Sequence, residues 1–197
     1  MVHLIILCYN EELALEGLLE DLSQALSRRP EKHQFVVVDD GSSDRTAATA
    51  QALSARHPLV LLRHQTNQGV ASAFRTGLTH AAKHAAPGDS IVTLDGDGTN
   101  DLKALAPMLD KLGEGFDIVC ASRYRPGGAY VGFPLKRFLL SHAANFVARL
   151  VVGIPGIKDY TIFFRGYRAR VIQEALKKFG DGFIESRSFS ANAEILL

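Results

Sequence analysis

The chain has 197 residues, 47% of them hydrophobic, and 22 Lys and Arg against 21 Asp and Glu give a formal charge of +1. That length supports one domain with a sizeable core, and the even charge balance gives no pull toward nucleic acid. Cys8 and Cys120 lie in apolar runs and read as reduced core thiols of a cytosolic protein; no stretch reaches the roughly 18 uncharged apolar residues of a spanning helix.

Taken in chain order, strand-length apolar runs at 2–8, 35–39, 59–63, 90–95 and 117–122 alternate with helix-length segments. This is the sequence form of repeated βα units around a mostly parallel sheet. The runs are continuous in Val, Ile and Leu, as expected of strands covered on both faces. Between the first two, residues 11–26 carry Leu15, Leu18, Leu19, Leu22 and Leu26 at helical spacing, with Asn10 as the expected N-cap. Residues 44–56 and 70–84 repeat the helical pattern, and Ser42, Ser43 and Asp44 are expected to cap the first of these. After residue 123 comes a loop rich in Gly, Pro and Tyr, then an expected helix at 135–152, a strand at 159–164 and a helix at 168–179. The helix at 135–152 is open to two readings, core packing or lying on a bilayer surface.

Right-handed crossovers put the carboxyl ends of parallel strands on one edge, where ligands bind in open α/β sheets. Acids gather there: Glu11 and Glu12 after the first strand, Asp39 and Asp40 after the second, Asp95 and Asp97 after the fourth. Strand residues i and i+2 share a face, so Asp95 and Asp97 repel unless a cation or proton lies between them. A divalent ion, Mg2+ or Mn2+, answers that demand. Together with hydroxyl- and N–H-accepting carboxylates, it fits a nucleoside diphosphate bearing a sugar. Glu11 is preferred to Glu12 as a ligand-facing acid. Most of the seven histidines are read as surface residues, and a zinc site is not expected among them.

Tyr9-Asn10-Glu11, Val37-Val38-Asp39-Asp40-Gly41-Ser42-Ser43-Asp44, Asn67-Gln68-Gly69, Asp95-Gly96-Asp97, Ser122-Arg123-Tyr124 and Asp159-Tyr160-Thr161 with Phe164-Arg165 occur in an order that resembles the family 2 glycosyltransferases. The branch resembled is that of dolichyl-phosphate mannose synthase and the bacterial polyprenyl-phosphate glycosyltransferases. The resemblance implies a three-layer α/β/α GT-A fold, Rossmann-like, with a mostly parallel sheet, a divalent metal and inversion at the anomeric carbon. It implies one domain over 1–197, with the nucleotide-sugar part at about 1–122 and the acceptor side at about 123–197, expected to be cut short at its end.

Carried over by position, Tyr9, Glu11, Asp39 and Asp40 would meet the nucleoside, Asn67 and Gly69 would touch substrate, and Asp95 and Asp97 would hold the metal. Arg123, Arg137 and Ser141 resemble residues that gather phosphates. Two arginines in or after a loop suit bidentate phosphate contacts. Thr99 stands where the branch commonly has glutamine. The expected partners are a UDP- or GDP-sugar, a polyprenyl phosphate acceptor, a membrane surface at its cytoplasmic face, and a second copy of the chain. A saccharide hydroxyl acceptor, with Asp159 as general base, and a non-catalytic nucleotide-binding module are the alternatives.

Overall fold

A computed structural model describes residues 1–124, 145–147, 149–150, 153–185 and 191–196. The expected helix at 135–152 therefore lies largely outside the described residues, as do Arg137 and Ser141. Six strands form one sheet, β1 (Val2–Cys8), β2 (His33–Asp39), β3 (Leu59–Arg63), β4 (Ser90–Asp95), β5 (Ile118–Cys120) and β6 (Arg165–Arg168), in the order β3-β2-β1-β4-β6-β5. Strands β1 to β4 are parallel and β6 runs antiparallel to both β4 and β5. The strand order reverses between β1 and β4, so the crevice for ligand opens at Cys8 and Asp95.

Alternation along the strands divides the core. Leu4, Ile6, Phe35, Val37, Val92 and Leu94 face α1 (Leu15–Leu26), α2 (Thr46–Leu53) and α4 (Leu105–Gly113). Ile5, Leu7, Val36, Val38 and Ile91 face α3 (Val70–His84) and α5 (Ala169–Phe179). Every residue of β1 is buried, as a central parallel strand demands. The result is the expected three-layer arrangement.

Two local expectations are corrected. Helix α1 begins at Leu15, and Asn10 is no helix cap: it takes φ 60°, and its Oδ1 accepts from the Ser43 N–H at 2.9 Å. Residues 159–164 are not a strand; the strand is Arg165–Arg168, one step later. Apolar side chains at Tyr160, Phe163 and Phe164 are buried without it, so hydrophobicity and pairing separate here. Among the histidines, His3 is fully buried beside Asp89.

Close approaches fix the layers. A Cβ on Gly77 of α3 would lie 2.4 Å from Ile5 Cγ2 in β1, and one on Gly166 in β6 would lie 2.8 Å from Leu112 Cδ1 in α4. Gly77→Ala therefore sets a helix-propensity gain of about 1 kcal/mol against an overpacking cost of about 1–3 kcal/mol. Net destabilisation of up to about 2 kcal/mol is expected, read as a lower urea midpoint at unchanged slope.

Candidate active site

A cavity of about 320 Å³ opens at the β1/β4 crevice, and its walls include Tyr9, Glu11, Asp40, Asn67, Gly69, Asp95 and Asp97. A cleft of about 390 Å³ between α3 and α5 is lined by Arg75, Lys83 and Lys177 with no carboxylate. It lies away from the strand ends where the acids gather, so the smaller cavity is the chemical site.

The acids are held in place by the backbone around them. The Gly96 N–H donates to the Leu7 carbonyl at 2.8 Å, and a Cβ on Gly96 would fall 2.5 Å from Cys8 Sγ. Only glycine lets the Asp95-Gly96-Asp97 turn lie this close to β1. Asp97 Oδ1 accepts from both the Thr99 N–H at 2.9 Å and its hydroxyl at 2.8 Å, so Thr99 orients Asp97. Glu11 is fixed through its N–H, which donates to Thr46 Oγ1 at 2.8 Å. Glu12 points elsewhere, accepting from the Arg45 N–H at 2.8 Å.

Burial, then the charge of Asp97, pushes the Asp95 carboxyl up to about 6, and Glu11 adds to the rise. Glu11 is raised by burial and then by Asp97. The three acids thus strain against one another's charge. Among the described residues no three His, Cys, Asp or Glu side chains stand close enough to hold a metal alone. Burial pushes the neighbouring Cys8 thiol up, which removes a thiolate ligand. What remains is a pair of hard oxygen donors with room for ligand oxygens, the set that suits Mg2+ or Mn2+ shared with a diphosphate.

Asp40 lines the cavity, whereas Asp39 does not. Asp39 is fully buried, its Oδ1 accepting from the Ser42 N–H at 2.9 Å and Arg63 Nε lying 3.2 Å from Oδ2. The reading of Asp39 as a ligand contact is corrected: as the last residue of β2 its side chain turns inward, and it braces the turn that presents Asp40. Gly41, at φ 70°, carries that turn against the Thr66 backbone. Asn67 Oδ1 accepts from the Gly69 N–H at 3.0 Å.

Arg123 and Asp159 stand outside the cavity wall, joined to each other. Arg123 donates from Nε to Asp159 Oδ2 at 2.8 Å and from Nη2 to Oδ1 at 2.9 Å, and Nη2 also reaches Thr161 Oγ1 at 2.6 Å. Burial would raise the Asp159 carboxyl, but the Arg123 bond and charge and the Thr161 donors hold it below the ordinary value. A lowered, bidentate, fully buried carboxylate is a poor proton acceptor. Asp159 as general base is therefore corrected to an acid that orients Arg123, whose charge in turn reaches Asp95.

The sequence reading passed over two histidine features. His80 and His84 have the four-residue spacing of helical metal ligands, and their rings stack at 4.2 Å. His64 pairs with Asp40 at 2.6 Å, across 24 residues that no local spacing could signal.

An acid-lined crevice at the switch point of a mostly parallel sheet is where a three-layer α/β domain of this kind takes a ligand. Residues 3–176 match Glycosyl transferase family 2, and the chain belongs to that family. It is 34% identical over 172 residues to the polyprenol monophosphomannose synthase of Mycolicibacterium smegmatis, covering 86% of this chain and 62% of that protein. It is 34% identical over 173 residues to the dolichol-phosphate mannosyltransferase of Pyrococcus furiosus, covering 87% and 47%. The chain thus spans less than two thirds of each of these relatives. A mannosyltransferase from Pyrobaculum calidifontis, solved with GDP-mannose and Mn2+, shares the fold with a TM-score of 0.57 at 22% identity, over 91% of this chain and 46% of that one.

Asp159→Asn removes the carboxylate charge that faces the Arg123 guanidinium. A loss of about 2–3 kcal/mol at pH 7 is expected from urea denaturation, below the fully buried figure because Arg123 retains some exposure. The folded pKa of Asp159 is depressed, so its stabilisation is complete above the unfolded value of about 3.9 and fades as pH falls below it. The gap between wild type and Asp159→Asn should accordingly be constant from pH 7 to about pH 5 and shrink toward pH 3.

Proposed function

We propose that the chain is a metal-dependent, inverting glycosyltransferase moving a hexose-type sugar from a UDP- or GDP-linked donor to a polyprenyl or dolichyl phosphate. The observation that carries this reading is the convergence of Glu11, Asp95 and Asp97 on a cavity whose other end holds Tyr9, Asp40 and Asn67. Mutually repelling acids call for a cation, and an aromatic ring beside hydrogen-bonding groups suits a nucleoside. The names of the polyprenol- and dolichol-phosphate relatives support the acceptor class.

In this reading Asp95 and Asp97 would hold Mg2+ or Mn2+, and the ion would supply neutralisation of the departing nucleoside diphosphate. Tyr9 offers a stacking face, and Asp40 and Glu11 accept donor hydroxyl or N–H groups. Arg123, aimed by Asp159 and Thr161, adds positive charge near the diphosphate, and Arg137 and Ser141 are proposed to gather the phosphates with it. An acceptor phosphate oxygen forms its bond to the anomeric carbon as the bond to the diphosphate oxygen breaks, and the diphosphate leaves with the electron pair.

A lipid phosphate is already ionised near neutral pH, so attack needs no general base. The engagement of Asp159 with Arg123 is consistent with this and weighs against a saccharide hydroxyl acceptor that relies on Asp159. Residues 145–147 and 149–150 are helical, with Phe146, Val147 and Leu150 exposed and Asn145 turned inward to Lys158 and Tyr160. An outward apolar face supports contact with a bilayer surface at the cytoplasmic side. No helix among the described residues is long and apolar enough to cross a membrane.

Transfer from labelled UDP- and GDP-sugars to polyprenyl phosphate in detergent tests the reading. Wild type should form lipid-linked sugar with Mn2+ and none in EDTA, and Asp97→Asn should lose at least about 100-fold in rate. Tight nucleotide binding with no turnover of any donor would favour the non-catalytic module instead.

A further inference from the structure

We infer that the nucleoside end of the cavity is built for a base presenting one N–H, namely uracil, and that His64 sets this preference by holding Asp40. The inference rests on the nucleotide-sugar reading above and narrows it to the donor's base. With the diphosphate drawn to Asp95 and Asp97, the nucleoside falls toward Tyr9, Asp40 and Asn67, and Glu11 is the further acid of the cavity.

An ionised carboxylate accepts at about four positions. On Asp40 three are filled. Oδ1 takes His64 Nδ1 at 2.6 Å and the Gln68 N–H at 3.0 Å, and Oδ2 takes the Gly69 N–H at 2.8 Å. Since the carboxylate only accepts, the proton of this pair sits on His64 Nδ1. His64 Nε2 lies 3.0 Å from Thr76 Oγ1 on α3, which fixes the ring from behind. One acceptor position on Oδ2 is left for ligand.

Uracil presents a single N–H flanked by two carbonyls. The N–H matches the open position on Oδ2. Asn67, whose Oδ1 is occupied by the Gly69 N–H, keeps its amide NH2 for a flanking carbonyl. Guanine presents two adjacent donors that fork across both oxygens of a free carboxylate. Here Oδ1 is saturated, so the second guanine donor finds no acceptor on Asp40, and losing one of two paired donors weakens guanine relative to uracil.

Calorimetric titration of the whole chain with UDP and with GDP, each with Mn2+, tests the inference. UDP is expected to bind about tenfold more tightly or better. GDP binding equally or more tightly overturns the base assignment and leaves the nucleotide-sugar reading standing, whereas binding of neither overturns both. His64→Ala vacates a position on Oδ1 and should narrow the UDP-to-GDP ratio, while His64→Asn, whose Nδ2 can replace the Nδ1 donor, should restore it. An unchanged ratio in His64→Ala with native circular dichroism overturns the role of His64. If that variant does not fold, the wild-type comparison and His64→Asn still decide.

Discussion

Charge repulsion among Glu11, Asp95 and Asp97 is the constraint around which the upper edge of this sheet is arranged. The parallel register sets Leu7 opposite Asp95, so the ends of β1 and β4 deliver their loops to one place. An exposed cluster would relax by turning side chains into water. Asp95 is denied that relief because the Gly96 turn is clamped to Leu7 and Cys8. Its carboxyl, raised to about 6, corresponds to roughly 3 kcal/mol of unfavourable environment for the charged form. A cation beside it would offset that cost, which is the physical basis for the proposed metal.

The same edge is rigid for a reason separate from the core. Side-chain-to-backbone bonds connect the three loops after β1, β2 and β3. Asn10 Oδ1 and Ser42 Oγ bind the first loop to the second, and Asp40 binds the second to the third through Gln68 and Gly69. Each bond satisfies a backbone donor that would otherwise need water. Fixing the loops before ligand arrives reduces the ordering entropy lost on binding. Asn10 shows the trade: a non-glycine residue at φ 60° is unfavourable, and the bonds to Ser43 and Asp44 offset it.

Much of this was legible in the sequence because the central strands are continuous apolar runs and the acids follow them directly. Tyr9, Glu11, Asp40, Asn67, Gly69, Asp95 and Asp97 come from four loops, yet each follows a strand whose direction is fixed by the βα repeat. Legibility failed where a side chain's role depends on a distant partner. Asp39 and Asp40 are chemically identical neighbours, and only the pleat and Arg63 on β3 tell the bracing acid from the cavity acid. β6 carries two arginines around Gly166 and reads as polar, but it is closed between β4 and β5, and the missing Cβ makes room for Met108 and Leu112. The aromatic run before it looks more like a strand and is packed as irregular chain.

Asp159 illustrates how a partner distant in sequence bears on a role that the residue's own position leaves open. An acid opening a segment near the site invites assignment as a base, since carboxylates in clefts do that work elsewhere. Two parallel hydrogen bonds from Arg123 weigh against that role, because protonating Asp159 would weaken them and leave a partly buried guanidinium facing a neutral acid. The carboxylate is thus most useful while it stays charged. By fixing Arg123 it brings positive charge within reach of Asp95 from the far side of the sheet. The segment after β5 is thereby coupled to the acids at the ends of β1 and β4 through electrostatics, and in the proposed reaction an acceptor that brings its own negative charge needs no proton removed on arrival.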